Sequence, residues 1–195
     1  MSSKHSKLNL WSGLFFSGLA AAGLLSSVLP SVGLAQSTSP GLTIFGGVDP
    51  EYRLAYTIQY NTRRSPRARY FLRVPANKLR GDVVELEIAY PERFTELRGA
   101  IDADNIEVRL GRGQGDDPIS LDEIVWDTER SKIIIYPEEP IPADTSLVIV
   151  FSKVRNPNRI SIHYFNLKVL FQGDVLRTFV GIWPVEAGAE SGPRD

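Results

Sequence analysis

Apolar and polar side chains alternate through residues 53–60, with Leu54, Tyr56, Ile58 and Tyr60 on one side and Arg53, Thr57 and Gln59 on the other. A period of two puts successive side chains on opposite faces of an extended chain, so this segment reads as a half-buried strand. Residues 67–74 repeat the pattern, with Ala68, Tyr70, Leu72 and Val74 opposed by Arg67, Arg69 and Arg73. Residues 83–90 do so again, with Val84, Leu86, Ile88 and Tyr90 opposed by Glu85 and Glu87. Further strands are predicted at 105–110, 119–126, 132–136, 146–154, 160–171 and 176–183. Leu147, Val148, Ile149, Val150 and Phe151 are apolar on both faces, which places them in the middle of a sheet.

The residues between these segments suit turns. Gly173 and Asp174 fit a tight hairpin with glycine at positive φ. Pro137, Pro140 and Pro142 cannot belong to a central strand and mark an edge crossing between sheets. Only 91–97 reads as helix, a turn or two with Pro91 in the first turn and Gly99 just past the end. About nine closely spaced strands in one domain predict an antiparallel, immunoglobulin-like β-sandwich over residues 44–185, with a barrel as the alternative. The chain has no cysteine, so the core and not disulfides must hold this fold. That absence also excludes thiol nucleophiles, cysteine-ligated zinc and iron–sulfur clusters, and no cofactor is expected.

Residues 1–35 read as an export signal. Lys4 and Lys7 precede an almost wholly apolar stretch at 14–29, and Gly33, Leu34 and Ala35 form a small-residue cleavage site ahead of Gln36. A membrane anchor is the rival, disfavoured by Pro30 and Gly33. A disordered spacer is expected over 36–43 and a disordered tail over 186–195. Cleavage removes two lysines and no acid, taking the formal net charge from −1 to −3, which is not the balance of a nucleic-acid-binding chain.

The candidate sites are few. Arg63, Arg64, Arg67, Arg69 and Arg73 are the densest charge feature and could dock an anionic lipid, glycan or acidic protein. Their bland reading is surface pairing with Glu85 and Glu87 on the next strand. Tyr164 and Trp183, with Tyr136 and Trp126, could form an aromatic platform for a sugar ring, or lie in the core. Asp102, Asp104, Asn105, Asp116 and Asp117 could offer oxygens to calcium, but Glu107 and Gly113 do not fit the twelve-residue calcium loop, so no metal is assigned. His163 is the one histidine beyond the signal; it shares parity with Phe165, Leu167, Val169 and Phe171, which favours a packing role over catalysis.

The stretch Val154-Arg155-Asn156-Pro157, two long strands ending in Val180-Gly181-Ile182-Trp183, and the Tyr136-Pro137-Glu138-Glu139-Pro140-Ile141-Pro142 crossing together resemble an exported cyanobacterial family, domain of unknown function 2808. Arg69-Tyr70-Phe71, with Val74-Pro75 after it, extends the similarity. The resemblance implies export to the periplasm or thylakoid lumen and implies no activity. Leu167-Lys168-Val169-Leu170-Phe171-Gln172-Gly173 matches a viral protease site used in expression linkers but reads as native strand and turn.

The sequence therefore leads to the expectation of an exported, non-enzymatic binding or scaffolding domain of the cell envelope or thylakoid lumen, in the periplasm, the lumen or outside the cell. Its expected partner is another envelope or lumenal protein, with contact to a membrane surface or glycan as further options and no nucleic acid. A carbohydrate-binding module is the alternative, and a hydrolase using His163 the second.

Overall fold

The computed structural model describes residues 47–189. The export signal, the Ala35–Gln36 cleavage site, the 36–43 spacer and the last residues of the tail lie outside them. Nine strands and one short helix follow in order: β1 (Tyr56–Gln59), β2 (Ala68–Val74), β3 (Val83–Ala89), α1 (Glu92–Glu96), β4 (Ile106–Leu110), β5 (Leu121–Asp127), β6 (Lys132–Pro137), β7 (Leu147–Val154), β8 (Ser161–Phe171) and β9 (Thr178–Ala187). They form two antiparallel sheets, β1-β2-β7-β4 and β5-β6-β3-β8-β9, packed as an immunoglobulin-like β-sandwich with no closed barrel.

The alternation seen in the sequence is the core. Tyr70, Leu72 and Val74 of β2, Leu147, Ile149 and Phe151 of β7 and Val108 of β4 face Leu86, Ile88, Ile133, Ile135, Phe165, Leu167 and Val169 of the other sheet, all buried. Each such side chain contributes about 1.5–3 kcal/mol by leaving water, which works against the chain entropy lost on folding. Trp183 of β9 is wholly buried among them, and its indole Nε1 donates to the carbonyl of Arg73 on β2 at 3.0 Å, a polar tie between the two sheets. β7 is an inner strand, and Leu147 to Phe151 are 0 % exposed on both faces.

Two sequence expectations need correction. β2 and β3 are consecutive but not paired: the chain crosses from one sheet to the other between them, so β2 lies between β1 and β7 while β3 lies between β6 and β8. Arg67, Arg69 and Arg73 therefore do not face Glu85 and Glu87. Those two acids sit on the outer face of the five-stranded sheet, each 5 % exposed, where Arg177 covers them by pairing with Glu85 and reaching Glu87 at 3.6 Å. Lys132 and Lys168 complete the cover at 3.6 and 3.9 Å from Glu87. Second, β9 does not close at Trp183. It runs through Pro184 to Ala187, which brings Glu186 and Ala187 into the strand and out of the expected tail. As the outermost strand of its sheet, β9 tolerates a residue with no N–H.

The proline crossing is where the sequence placed it. Pro137 ends β6, and the chain then passes to β7 in the other sheet. Between Pro140 and Pro142, Ile141 supplies the backbone N–H, and it exchanges two hydrogen bonds with Val83, at 2.8 and 2.9 Å. The β8–β9 connection has Gly173 at φ +88 as expected, but it spans residues 172–177 and is longer than a tight hairpin. Pro91 precedes α1 as its cap residue and does not lie within it.

Candidate functional site

The outer face of the four-stranded sheet carries a second, small apolar cluster: Phe71, Val148 and Val150, each at most 1 % exposed. Register explains it. Phe71 pairs with Val150 and Arg73 with Val148 across β2 and β7, and Val148 and Val150 pair in turn with Arg109 and Glu107 of β4. What roofs these apolar side chains is a layer of arginine. The Arg69 guanidinium lies 5.2 Å from the Phe71 ring centre, within cation–π reach. Arg109 donates from Nε and Nη2 to one oxygen of Glu107, at 2.9 and 2.6 Å, and Arg69 approaches the same oxygen at 3.7 Å. Two cations thus share one carboxylate, while Arg69 Nε is buried with no acceptor among the described residues.

Arg73 extends this layer to the end of the sheet. Its Nε donates to the carbonyl of Gly113 at 2.6 Å and its Nη1 to the hydroxyl of Thr57 at 2.8 Å. Both acceptors are neutral, so the guanidinium keeps its charge unbalanced. The bond to Gly113 draws the 111–115 loop across the strand ends, and beneath it opens a groove of about 540 Å³ with Arg53, Arg73 and Arg112 around an apolar floor of Leu54, Val74 and Leu147. Among the described residues no Asp or Glu lines the groove; Asp116 packs against Gly111 at its margin.

The arginines grouped by the sequence do not form one cluster. Arg63 and Arg64 stand in the turn before β2, beside Asn158. Arg67 lies 5.9 Å from the Tyr60 ring centre. Only Arg69 and Arg73 belong to the outer face, separated along β2 by about 14 Å at strand rise. Their actual neighbours, Arg53, Arg109 and Arg112, come from distant segments, and no local pattern in the sequence connects them.

The aromatic platform is not formed. Trp183 pairs with Phe165 and points into the core, whereas Tyr164, one residue away from Phe165, points to the opposite face of the same sheet. Trp126 is 38 % exposed, and its Nε1 donates to the Tyr90 hydroxyl at 2.9 Å. Of the acidic residues, Asp102 spends its carboxylate on its own turn, accepting from Asp104 N at 3.2 Å and Asn105 Nδ2 at 2.8 Å.

His163 is 1 % exposed, with its Nε2 2.7 Å from the Ser161 hydroxyl and its ring edge-on to Phe94 at 5.2 Å. Burial, and secondarily the charge of Arg93, pushes its pKa down to about 4. A hydrolytic triad needs an acid on the far ring nitrogen and an open cleft, and among the described residues the Ser161–His163 pair has neither. The histidine instead predicts a pH effect on stability. Its folded pKa lies below the ordinary 6.5, so the folded state resists protonation and stability falls as pH drops from about 6.5 to about 4. The loss is expected to be on the order of 2–3 kcal/mol. Urea titrations at a series of pH values should show it, and His163→Gln should flatten that part of the profile.

Asn156 escaped the candidate list although its motif was singled out. It is 1 % exposed, accepts from the Tyr70 hydroxyl at 2.7 Å, and donates from Nδ2 to the Thr62 carbonyl at 2.9 Å and Asn61 Oδ1 at 3.2 Å. Asn61 in turn accepts from Gly188 N at 2.8 Å and donates to the Glu186 carbonyl at 3.0 Å. The Arg-Asn-Pro element is thus a clasp that ties the 60–65 turn to the ends of β7 and β9.

No curated protein sequence matches the chain. Among solved structures, it is similar to the collagen-binding domain from a Staphylococcus aureus adhesin, with 12% identity and a TM-score of 0.37 over 67% of this chain and 93% of that one. It is also similar to the collagen-binding subdomain of the Enterococcus faecalis surface protein ACE, with 12% identity and a TM-score of 0.41 over 68% of this chain and 95% of that one. A family model described as a protein of unknown function (DUF2808) matches residues 42–186, which include both sheets, and the chain belongs to that family.

Proposed function

We propose that this is an exported, non-enzymatic binding domain that docks an acidic protein partner on the outer face of its four-stranded sheet. The observation that carries the reading is charge asymmetry. Arg53, Arg69, Arg73, Arg109 and Arg112 gather on or beside this face, against Glu107 and the marginal Asp116, in a chain whose formal net charge is −1. Half-exposed ion pairs such as Arg109–Glu107 contribute about 0–1 kcal/mol to stability, so holding the sheet together does not account for so many arginines. A concentrated field of one sign does speed association with an opposite surface. The outer face of the other sheet offers no such field, because Glu85 and Glu87 are matched there by Arg177, Lys132 and Lys168.

Export rests on Lys4, Lys7 and the apolar stretch at 14–29. The carbohydrate reading is disfavoured with Trp183 in the core, and the hydrolase reading with His163 buried away from solvent and without an orienting acid among the described residues. Photo-crosslinking from each sheet face in turn, at Gln59 and at Tyr164, tests the docking proposal in cells.

A further inference from the structure

We infer that the groove at the end of the four-stranded sheet is a binding site for a small organic acid with an apolar body and more than one carboxylate. The inference goes beyond partner docking and does not depend on it. Arg53, Arg73 and Arg112 reach the groove from three separate segments: the stretch before β1, the end of β2 and the β4–β5 loop. Gathering three guanidiniums costs repulsion unless a counter-charge is present. None of the three has a carboxylate partner among the described residues. Arg73 is held by two neutral oxygens, so its position is fixed while its charge remains available, and the side chains of Arg53 and Arg112 make no hydrogen bond or ion pair among the described residues.

The rest of the groove restricts what the counter-charge can be attached to. At about 540 Å³ it has the size of a small-molecule site, and too little room for a folded partner. Its walls include Ala55, Pro75 and Ala76, and the Ser146 hydroxyl is already engaged by Ala76 N at 3.2 Å. An inorganic anion would leave those apolar walls wet, whereas a carbon chain covers them and lets its ends meet the arginines. Guanidinium forks bind planar carboxylates through paired N–H groups, which gives the site its selectivity.

The test is a calorimetric and NMR titration of the full chain with adipate, with hexanediol as the uncharged counterpart and sulfate as the bare anion. The expected result is saturable adipate binding, with amide shifts confined to residues 53–55, 73–77, 111–113 and 146–148, no response to hexanediol and a weaker one to sulfate. Arg53→Gln with Arg112→Gln should weaken adipate at least about tenfold at unchanged melting temperature, the loss expected for charge-assisted hydrogen bonds. Should that double variant fold poorly, the single Arg112→Gln serves, since its exposed side chain makes no hydrogen bond or ion pair among the described residues. Adipate binding that survives these substitutions, shifts scattered over the surface, equal response to sulfate, or no saturable binding would each overturn the site. Arg69→Glu with Arg109→Glu, which spares the groove, should leave adipate binding intact, so failure of the docking proposal and failure of this one are separable.

Discussion

Trp183→Ala is expected to lower stability by about 4–5 kcal/mol, the upper part of the range for deleting a large buried aromatic. Three effects add. The indole is wholly buried between the sheets, so its removal leaves a cavity lined by side chains of both. The Arg73 carbonyl loses its donor at 3.0 Å, and an unsatisfied buried acceptor costs about 1–3 kcal/mol. β9 is the last strand of its sheet, paired along its length with β8 and on its other side only through single bonds such as Leu54 N to the Ile182 carbonyl at 2.8 Å, so losing the indole weakens one of few ties to the opposite sheet. At about 3 °C per kcal/mol for a domain of this size, the melting temperature should fall by roughly 10–15 °C. Trp183→Phe refills most of the space but not the hydrogen bond, and should cost about 1–3 kcal/mol. Calorimetry of the three proteins checks both numbers.

Asn156→Ala should cost about 3 kcal/mol, by a different route. Little volume is lost, but the buried Tyr70 hydroxyl loses its acceptor, the Thr62 carbonyl loses the Nδ2 donor, and Asn61 Oδ1 keeps only Gly188 N. Burial already pushes the Tyr70 pKa upward, so its proton stays and must find a partner. Adding Tyr70→Phe removes the orphaned hydroxyl and should recover about 1 kcal/mol, a sign opposite to that of Tyr70→Phe in the wild type. Because the clasp holds the 60–65 turn, trypsin should cut after Arg63 and Arg64 faster in Asn156→Ala at temperatures where the sandwich remains folded.

Strand positions were legible wherever one face meets the core, because the period of two is imposed by burial: β2, β6 and β8 follow it closely. The pairing of strands was not legible. Alternation says which face of β2 is buried and nothing about whether β3 lies beside it or across the core, and assuming the former gave the arginines the wrong partners. Glu85 and Glu87 show the same limit, since their parity marks the outer face but not that Arg177 folds back over them. Trp183 could have been placed by parity: it alternates with Val185 and Ala187, which share the core in β9, but Pro184 obscured the pattern. The groove was beyond reach of any local reading. Arg53 and Arg112 are isolated in sequence and come to one groove through the placement of the 111–115 loop, which Ser146 and Leu110 hold by backbone hydrogen bonds and Arg73 by its bond to the Gly113 carbonyl. Asn156 was visible as part of a motif, yet a buried amide and a functional one look alike until their partners are known.

The central claim, that the arginine-bearing face is the docking surface, is tested most directly by photo-crosslinking in the cell from Gln59, opposite Arg69 on β1, and from Tyr164 on the other sheet. The account predicts a discrete adduct with an acidic protein from Gln59 and none from Tyr164. It also predicts that the adduct weakens with rising salt and disappears in Arg69→Glu with Arg109→Glu, a variant that loses some stability through repulsion with Glu107 but stays folded by calorimetry. Adducts from Tyr164 alone, or a Gln59 adduct indifferent to charge reversal, would contradict it.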